Sequence, residues 1–167
     1  GMTISGSPEN EEFYSYMKYT QEKAKEIRRI QEQIQTMDPE NDSVSILSDR
    51  IIAINDSLIS YKLNIAENRP FSFLAMLINA MKEPVIKDIP ENQDGTRDST
   101  YAYRYYKSHY WDDMDLTDNR LIRTPVFYNK LKKYFDQVIV QNPDSISKEA
   151  VIIIEQAKPD PEMFKYL

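Results

Sequence analysis

Most of the side chains here that could do chemistry fall between Tyr101 and Pro125, in the stretch YAYRYYKSHYWDDMDLTDNRLIRTP. It holds the only His and the only Trp of the 167 residues, and six of its first eleven residues are aromatic. As the sole imidazole, His109 would have to serve any Ser-His-Asp triad or multi-histidine metal site. With Asp112 and Asp113 it makes a candidate metal set, but a divalent ion also needs further ligands and groups that orient them. Packing is the favoured role for His109, with one ring nitrogen donating to a backbone carbonyl. Asp112, Asp113 and Asp115 could pair for acid–base work. Aspartates between two helices more often cap and turn. No residue is therefore assigned to catalysis, metal or cofactor.

The remaining chemistry of this stretch is recognition or internal bracing. Tyr103, Tyr106 and Tyr110 share one helix face, whereas Tyr101, Tyr105 and Trp111 lie elsewhere around it. Aromatics left exposed would offer a surface to a sugar, a peptide or a neighbouring domain. The plainer reading is a tyrosine-rich core whose hydroxyls reach water. Arg104, Arg120 and Arg123 lie near several aspartates, so an Arg–Asp network that pins the irregular part is expected. An anion or carboxylate site is the alternative. The candidate cluster comprises Arg104, Tyr106, His109, Tyr110, Trp111, Asp112, Asp113, Arg120 and Arg123. Within it His109, Trp111 and Arg123 are expected to converge, with Asp112 or Asp113 paired to Arg120 or Arg123.

Composition narrows the class. At 41% hydrophobic, the chain can bury a core of domain size. A net charge of −6 argues against nucleic acid as a partner, since phosphate binding depends on basic patches. Only three glycines occur, too few for the turns of an all-β fold or a phosphate-cradling loop. The absence of cysteine removes thiolate chemistry and disulfides from these residues.

Those candidates must be positioned by helices. Ser7 and Pro8 make a cap and a first turn. Phe13, Met17, Thr20, Ala24, Ile27, Ile30, Ile34 and Met37 then recur at helical spacing until Asp38-Pro39. A second stripe runs Val44, Leu47, Ile51, Ile54, Leu58, Tyr61 and Ile65, so residues 8–67 predict a long antiparallel hairpin whose stripes face each other and the core. FSFLAMLINAM is apolar on nearly every side and predicts a core helix over 71–82, too short to span a membrane. Residues 83–100 read as loop, with a turn at Asp94-Gly95. Ser99 or Thr100 should cap a helix reaching Trp111, followed by an irregular stretch with a short turn. Further helices start at Pro125 (Phe127, Leu131, Tyr134, Val138), Pro143 (Ile146, Ala150, Ile153, Ala157) and Pro161. The expected fold is all-α, a hairpin packed on a bundle of shorter helices, about six or seven helices in all. Residues 8–167 read as one helical domain behind a short lead at 1–7. Gly1-Met2 and the apolar EMFKYL ending both read as cut points in a longer chain.

Across YKSHYWDDMDLTDNRLIRTPVFYNKLKKYFDQV the chain resembles the helical domain of unknown function that precedes a thioredoxin-like domain in bacterial cell-envelope proteins. Tyr106–Trp111, Arg120–Pro125 with the helix after it, and PDSISKEAVIIIEQAK carry the likeness; SGSPENEEFYSYM resembles the junction with a preceding domain. In such proteins a small β-rich domain often comes first. An alkyl-hydroperoxide-reductase or thiol-disulfide-reductase-like domain with Cys-x-x-Cys follows. The resemblance implies that redox cysteines lie beyond Leu167 and that no catalytic residue transfers to these positions. It also implies a periplasmic or cell-envelope, lipoprotein-like location and a thioredoxin-like domain of the same chain as partner. Such a domain could space the redox unit, mediate homodimerisation or present a protein or peptide substrate. An independent peptide- or glycan-binding module using residues 101–125 is the alternative.

Overall fold

The computed structural model describes residues 6–87, 89–91, 95–98 and 100–167. Asp94 and Ser99, on which a turn and a cap were expected, lie outside them. Seven α-helices form among the described residues: α1 (Pro8–Gln35), α2 (Asp42–Asn68), α3 (Phe73–Ala80), α4 (Tyr101–Ser108), α5 (Pro125–Lys133), α6 (Pro143–Ala157) and α7 (Pro161–Tyr166). The only β pairing among them is an isolated antiparallel bridge between Glu91 and Arg97. The all-α expectation holds. The chain divides into two compact units, residues 1–76 and 77–167, the division falling within α3.

Four helices begin with the same device, a capping side chain followed by proline. Ser7, Thr124, Asn142 and Asp160 each accept a hydrogen bond from a first-turn backbone N–H, and a proline follows each. The cap satisfies one orphan donor, and the proline lacks the N–H that would otherwise be another.

The first unit is built on the α1–α2 hairpin. Ile30, Ile54 and Ile65 are buried. Tyr61 stacks on Tyr16 at 6.3 Å and lies 4.4 Å from the Tyr19 ring. Arg50 reaches Glu26 at 2.8 Å, and Arg69 lies 3.3 Å from Glu12. The expected α1 stripe is largely kept, with Ile30 buried and Phe13, Thr20, Ile27, Ile34 and Met37 half-buried, but it is widened on one side. Met17 and Ala24 are exposed, while Tyr16, Tyr19 and Glu26 take the seam. Long amphipathic side chains produce this widening. They cover the seam with rings and methylenes and still reach water with their polar tips. A second apolar row on α2, Ile52, Ile59 and Leu63, is exposed. Phe71, assigned to the core helix by its sequence neighbours, precedes α3 and is also exposed.

The second unit has a denser interior. Tyr110, Met114, Leu116, Leu121, Phe127, Tyr134, Val138, Ile139, Ile153, Ala157 and Met163 are all buried. α4 ends at Ser108, three residues short of the expected Trp111, and continues as turns through Met114. Its start is capped not by Thr100 but by Asp98, whose Oδ1 accepts from the Thr100 and Tyr101 backbone N–H groups at 2.9 and 3.1 Å. Asp118 caps a short 3-10 helix, Asn119–Arg123. After α5 the helix widens into a π turn, Tyr134–Val138, closed by the Ile139 N–H to the Tyr134 carbonyl at 3.1 Å. Lys130 on α5 is only 6% exposed and donates from Nζ to the carbonyls of Ala80 and Lys82, at 3.0 and 2.9 Å.

The graded burial of the α2 stripe gives a test. Ile54→Ala should cost about 2–4 kcal/mol in urea denaturation, as expected for truncating a buried aliphatic side chain. Leu47→Ala and Leu58→Ala, at half-buried positions, should each cost about 1 kcal/mol. Equal losses at all three positions would contradict the seam described here.

Candidate functional site

A cleft of about 530 Å³ opens in the second unit, lined by residues of α4 and its trailing turns, by Tyr134, and by α6. Helix periodicity assembles both walls. Tyr103, Lys107 and Trp111 repeat every fourth residue, with Arg104, Ser108 and Asp112 beside them; α6 contributes Glu149, Ile152, Ile153 and Gln156. A volume within the range of about 300–1,000 Å³ is that of a small-molecule cleft.

One polar group organises the lining. Glu149 is 8% exposed, accepts from the Tyr134 hydroxyl at 2.8 Å, and pairs with the Lys107 ammonium at 2.6 Å. Burial pushes the Glu149 carboxyl up, but the bonds from Lys107 and Tyr134 outweigh it and hold the group below the ordinary carboxylate range. Burial, and then the bond to Glu149, push the Tyr134 phenol well above its usual value. The pair is thus fixed as carboxylate and neutral phenol near neutral pH, an arrangement that positions groups rather than one poised for proton transfer. The Trp111 indole packs edge-on against Tyr110 and Tyr134 at 5.0 and 5.2 Å. Its Nε1 is buried and has no hydrogen-bond partner of good geometry among the described residues.

The nine sequence candidates separate. Arg104, Trp111 and Asp112 line the cleft. Tyr110 is core: its hydroxyl donates to the Lys130 carbonyl at 3.0 Å and its ring lies 5.2 Å from the Lys130 ammonium. Tyr106 donates to Glu83, which also takes Lys133 at 2.9 Å. His109 stacks on Tyr105 at 4.0 Å, with Nδ1 2.8 Å from the Tyr105 carbonyl, the packing role favoured from sequence. Asp113 pairs with Lys82 at 3.4 Å. Among the described residues no group of three His, Cys, Asp or Glu side chains could hold a metal ion.

The arginines are the correction. Arg120 holds Asp118, the cap two residues before it, through three hydrogen bonds of 2.6–3.1 Å. Arg123 pairs with Glu162 on α7 at 3.0 Å instead of Asp112 or Asp113, and its side chain is 70% exposed. Arg104 is tied to Asp98 and Thr100 at 2.6 and 2.8 Å. Each arginine found a carboxylate, but for Arg104 and Arg120 those after α4 lost to capping aspartates that local backbone geometry had already placed.

Lys107, Tyr134, Glu149, Ile152, Ile153 and Gln156 belong to the cleft and were missed. The signal for Glu149 was present: it lies four residues before Ile153 and eight before Ala157, both buried, so it shares their face of α6.

These pairs differ in what their loss should do. Arg123→Ala removes an exposed pair and should change stability by less than about 1 kcal/mol. Lys107→Met strands a buried carboxylate. It should cost at or below the lower end of the about 3–5 kcal/mol seen on breaking a buried pair, because the lysine side is partly wet. Glu149 titrates lower folded than unfolded, so the stability it adds is present above about pH 4.3 and is lost as pH falls through the folded value. The gap between wild type and Lys107→Met should therefore close in acid. A gap that persists below the folded value would contradict the pairing.

No curated protein and no solved structure gives a significant match to this chain. A family model does match, over residues 28–167. The chain belongs to that family, described as a domain of unknown function, DUF5106.

Proposed function

We propose that this chain is a non-catalytic helical accessory domain of a cell-envelope protein whose thioredoxin-like unit, on the same polypeptide, carries out thiol–disulfide exchange. The observation that carries this reading is how the second unit uses the residues behind the resemblance. Tyr110, Leu121 and Thr124 are buried, Thr124 bonds the Leu121 carbonyl at 2.7 Å and caps α5, and Tyr110 braces Lys130. Residues so used hold a scaffold. The cysteine-free composition fits the same division of labour, since exchange needs a thiolate. The accessory role is to space the redox unit, to mediate dimerisation or to present its substrate.

A second reading, an independent binding module, is favoured by the cleft between α4 and α6. It keeps the same residues non-catalytic and makes Tyr103, Lys107, Trp111 and Glu149 the working surface.

The purified chain should leave insulin disulfides intact at the rate of buffer, and the complete polypeptide should reduce them. Turnover by the chain alone would overturn the accessory reading. So would a complete reading frame without a Cys-x-x-Cys motif.

A further inference from the structure

We infer that the cleft between α4 and α6 takes a small neutral saccharide. This rests on the reading of the cleft as a binding surface and goes further by naming the ligand class.

Charge is the first argument. Two cations, Arg104 and Lys107, and two anions, Asp112 and Glu149, line the cleft, so its formal charge cancels. That balance favours neither a phosphate-rich nor a polycationic ligand.

Backbone geometry is the second. The walls are α6 on one side and α4 with its trailing turns on the other, so no open strand edge is offered to an extended peptide. A docking helix would want an apolar floor. Here the floor carries the Lys107–Glu149 ion pair and the Tyr134 hydroxyl.

Hydrogen-bond capacity is the third. Lys107 has three N–H donors and directs one to Glu149; each Glu149 oxygen accepts one bond and has a lone pair to spare. Gln156 adds an amide that both donates and accepts. Tyr103, 42% exposed, and Trp111 supply ring surface beside these groups. A pyranose matches this set: its C–H face lies against an aromatic ring, and each hydroxyl on its rim both donates and accepts.

The chain's only tryptophan lies in the cleft, so its emission reports occupancy directly. The test titrates the wild-type chain with maltose, cellobiose and N,N′-diacetylchitobiose, and separately with trialanine, following Trp111 emission and binding heat together. A saturable response to at least one saccharide is expected. Tyr103→Ala and Gln156→Ala, both at exposed positions, should weaken it tenfold or more with unchanged melting temperature, and Arg123→Ala should leave it unchanged. No saccharide signal by either readout, or binding indifferent to both cleft variants, would overturn the inference. Trialanine binding without saccharide binding would overturn it while leaving the cleft a binding surface; no binding of any probe would remove both readings.

Discussion

The second unit depends on one buried ammonium. Lys130 places its charge where the last turn of α3 runs out of partners and gives Nζ–H donors to the carbonyls of Ala80 and Lys82. A helix C-terminus leaves orphan carbonyls with partial negative charge, and a cation there satisfies both the hydrogen bonds and the dipole. The same residue binds Tyr110 twice, through its backbone carbonyl to the phenol and through its ammonium over the ring. One side chain thereby joins the end of α3, the turns after α4, and α5. Burial pulls the Lys130 ammonium below the usual lysine range, and the charges of Glu83 and Asp113 oppose that pull. A desolvated cation over an aromatic face gains more than an exposed one, which offsets part of the burial cost.

From that clamp the cleft follows. Tyr110 packs on Tyr134 at 4.9 Å and on Trp111, so the residue that braces Lys130 also backs the cleft floor. The π turn beginning at Tyr134 adds a residue to the helix, and Tyr134, Val138 and Ile139 are all buried around it. Tyr134 then meets Glu149, and Glu149 meets Lys107 across the cleft. The titratable groups at the floor hold one another in fixed charge states while keeping spare hydrogen-bond capacity. That favours recognition over catalysis, since a general acid or base needs a pKa near the working pH and a proton free to move.

The helices were legible because their signals are local. A proline at the first turn marked α1, α5, α6 and α7, and the stripe that holds Ile54 and Ile65 marked α2. The segment 101–125 stood out by its density of unusual residues, but its wiring was not legible. Spacing along the chain cannot tell Arg123 to prefer Glu162, thirty-nine residues away, over Asp112 or Asp113. Lys130 and Glu149 escaped because a charged residue on an apolar face reads as a boundary of the face. Their partners, the Ala80 carbonyl and Lys107, come from other elements. The tyrosine seam of α1 escaped for the opposite reason: amphipathic residues carry weak periodic signal yet cover much area.

The claim that Lys130 is the clamp is tested most directly by a double-mutant cycle of Lys130→Met and Tyr110→Leu, measured by urea denaturation. Stranding the buried Ala80 carbonyl and the part-buried Lys82 carbonyl should make Lys130→Met alone cost about 2–3 kcal/mol. The coupling with Tyr110→Leu should reach about 1 kcal/mol, carried by the ammonium over the ring, since the Lys130 backbone carbonyl that takes the phenol survives the substitution. Additive losses within about 0.3 kcal/mol, or a Lys130→Met variant as stable as wild type, would contradict the account.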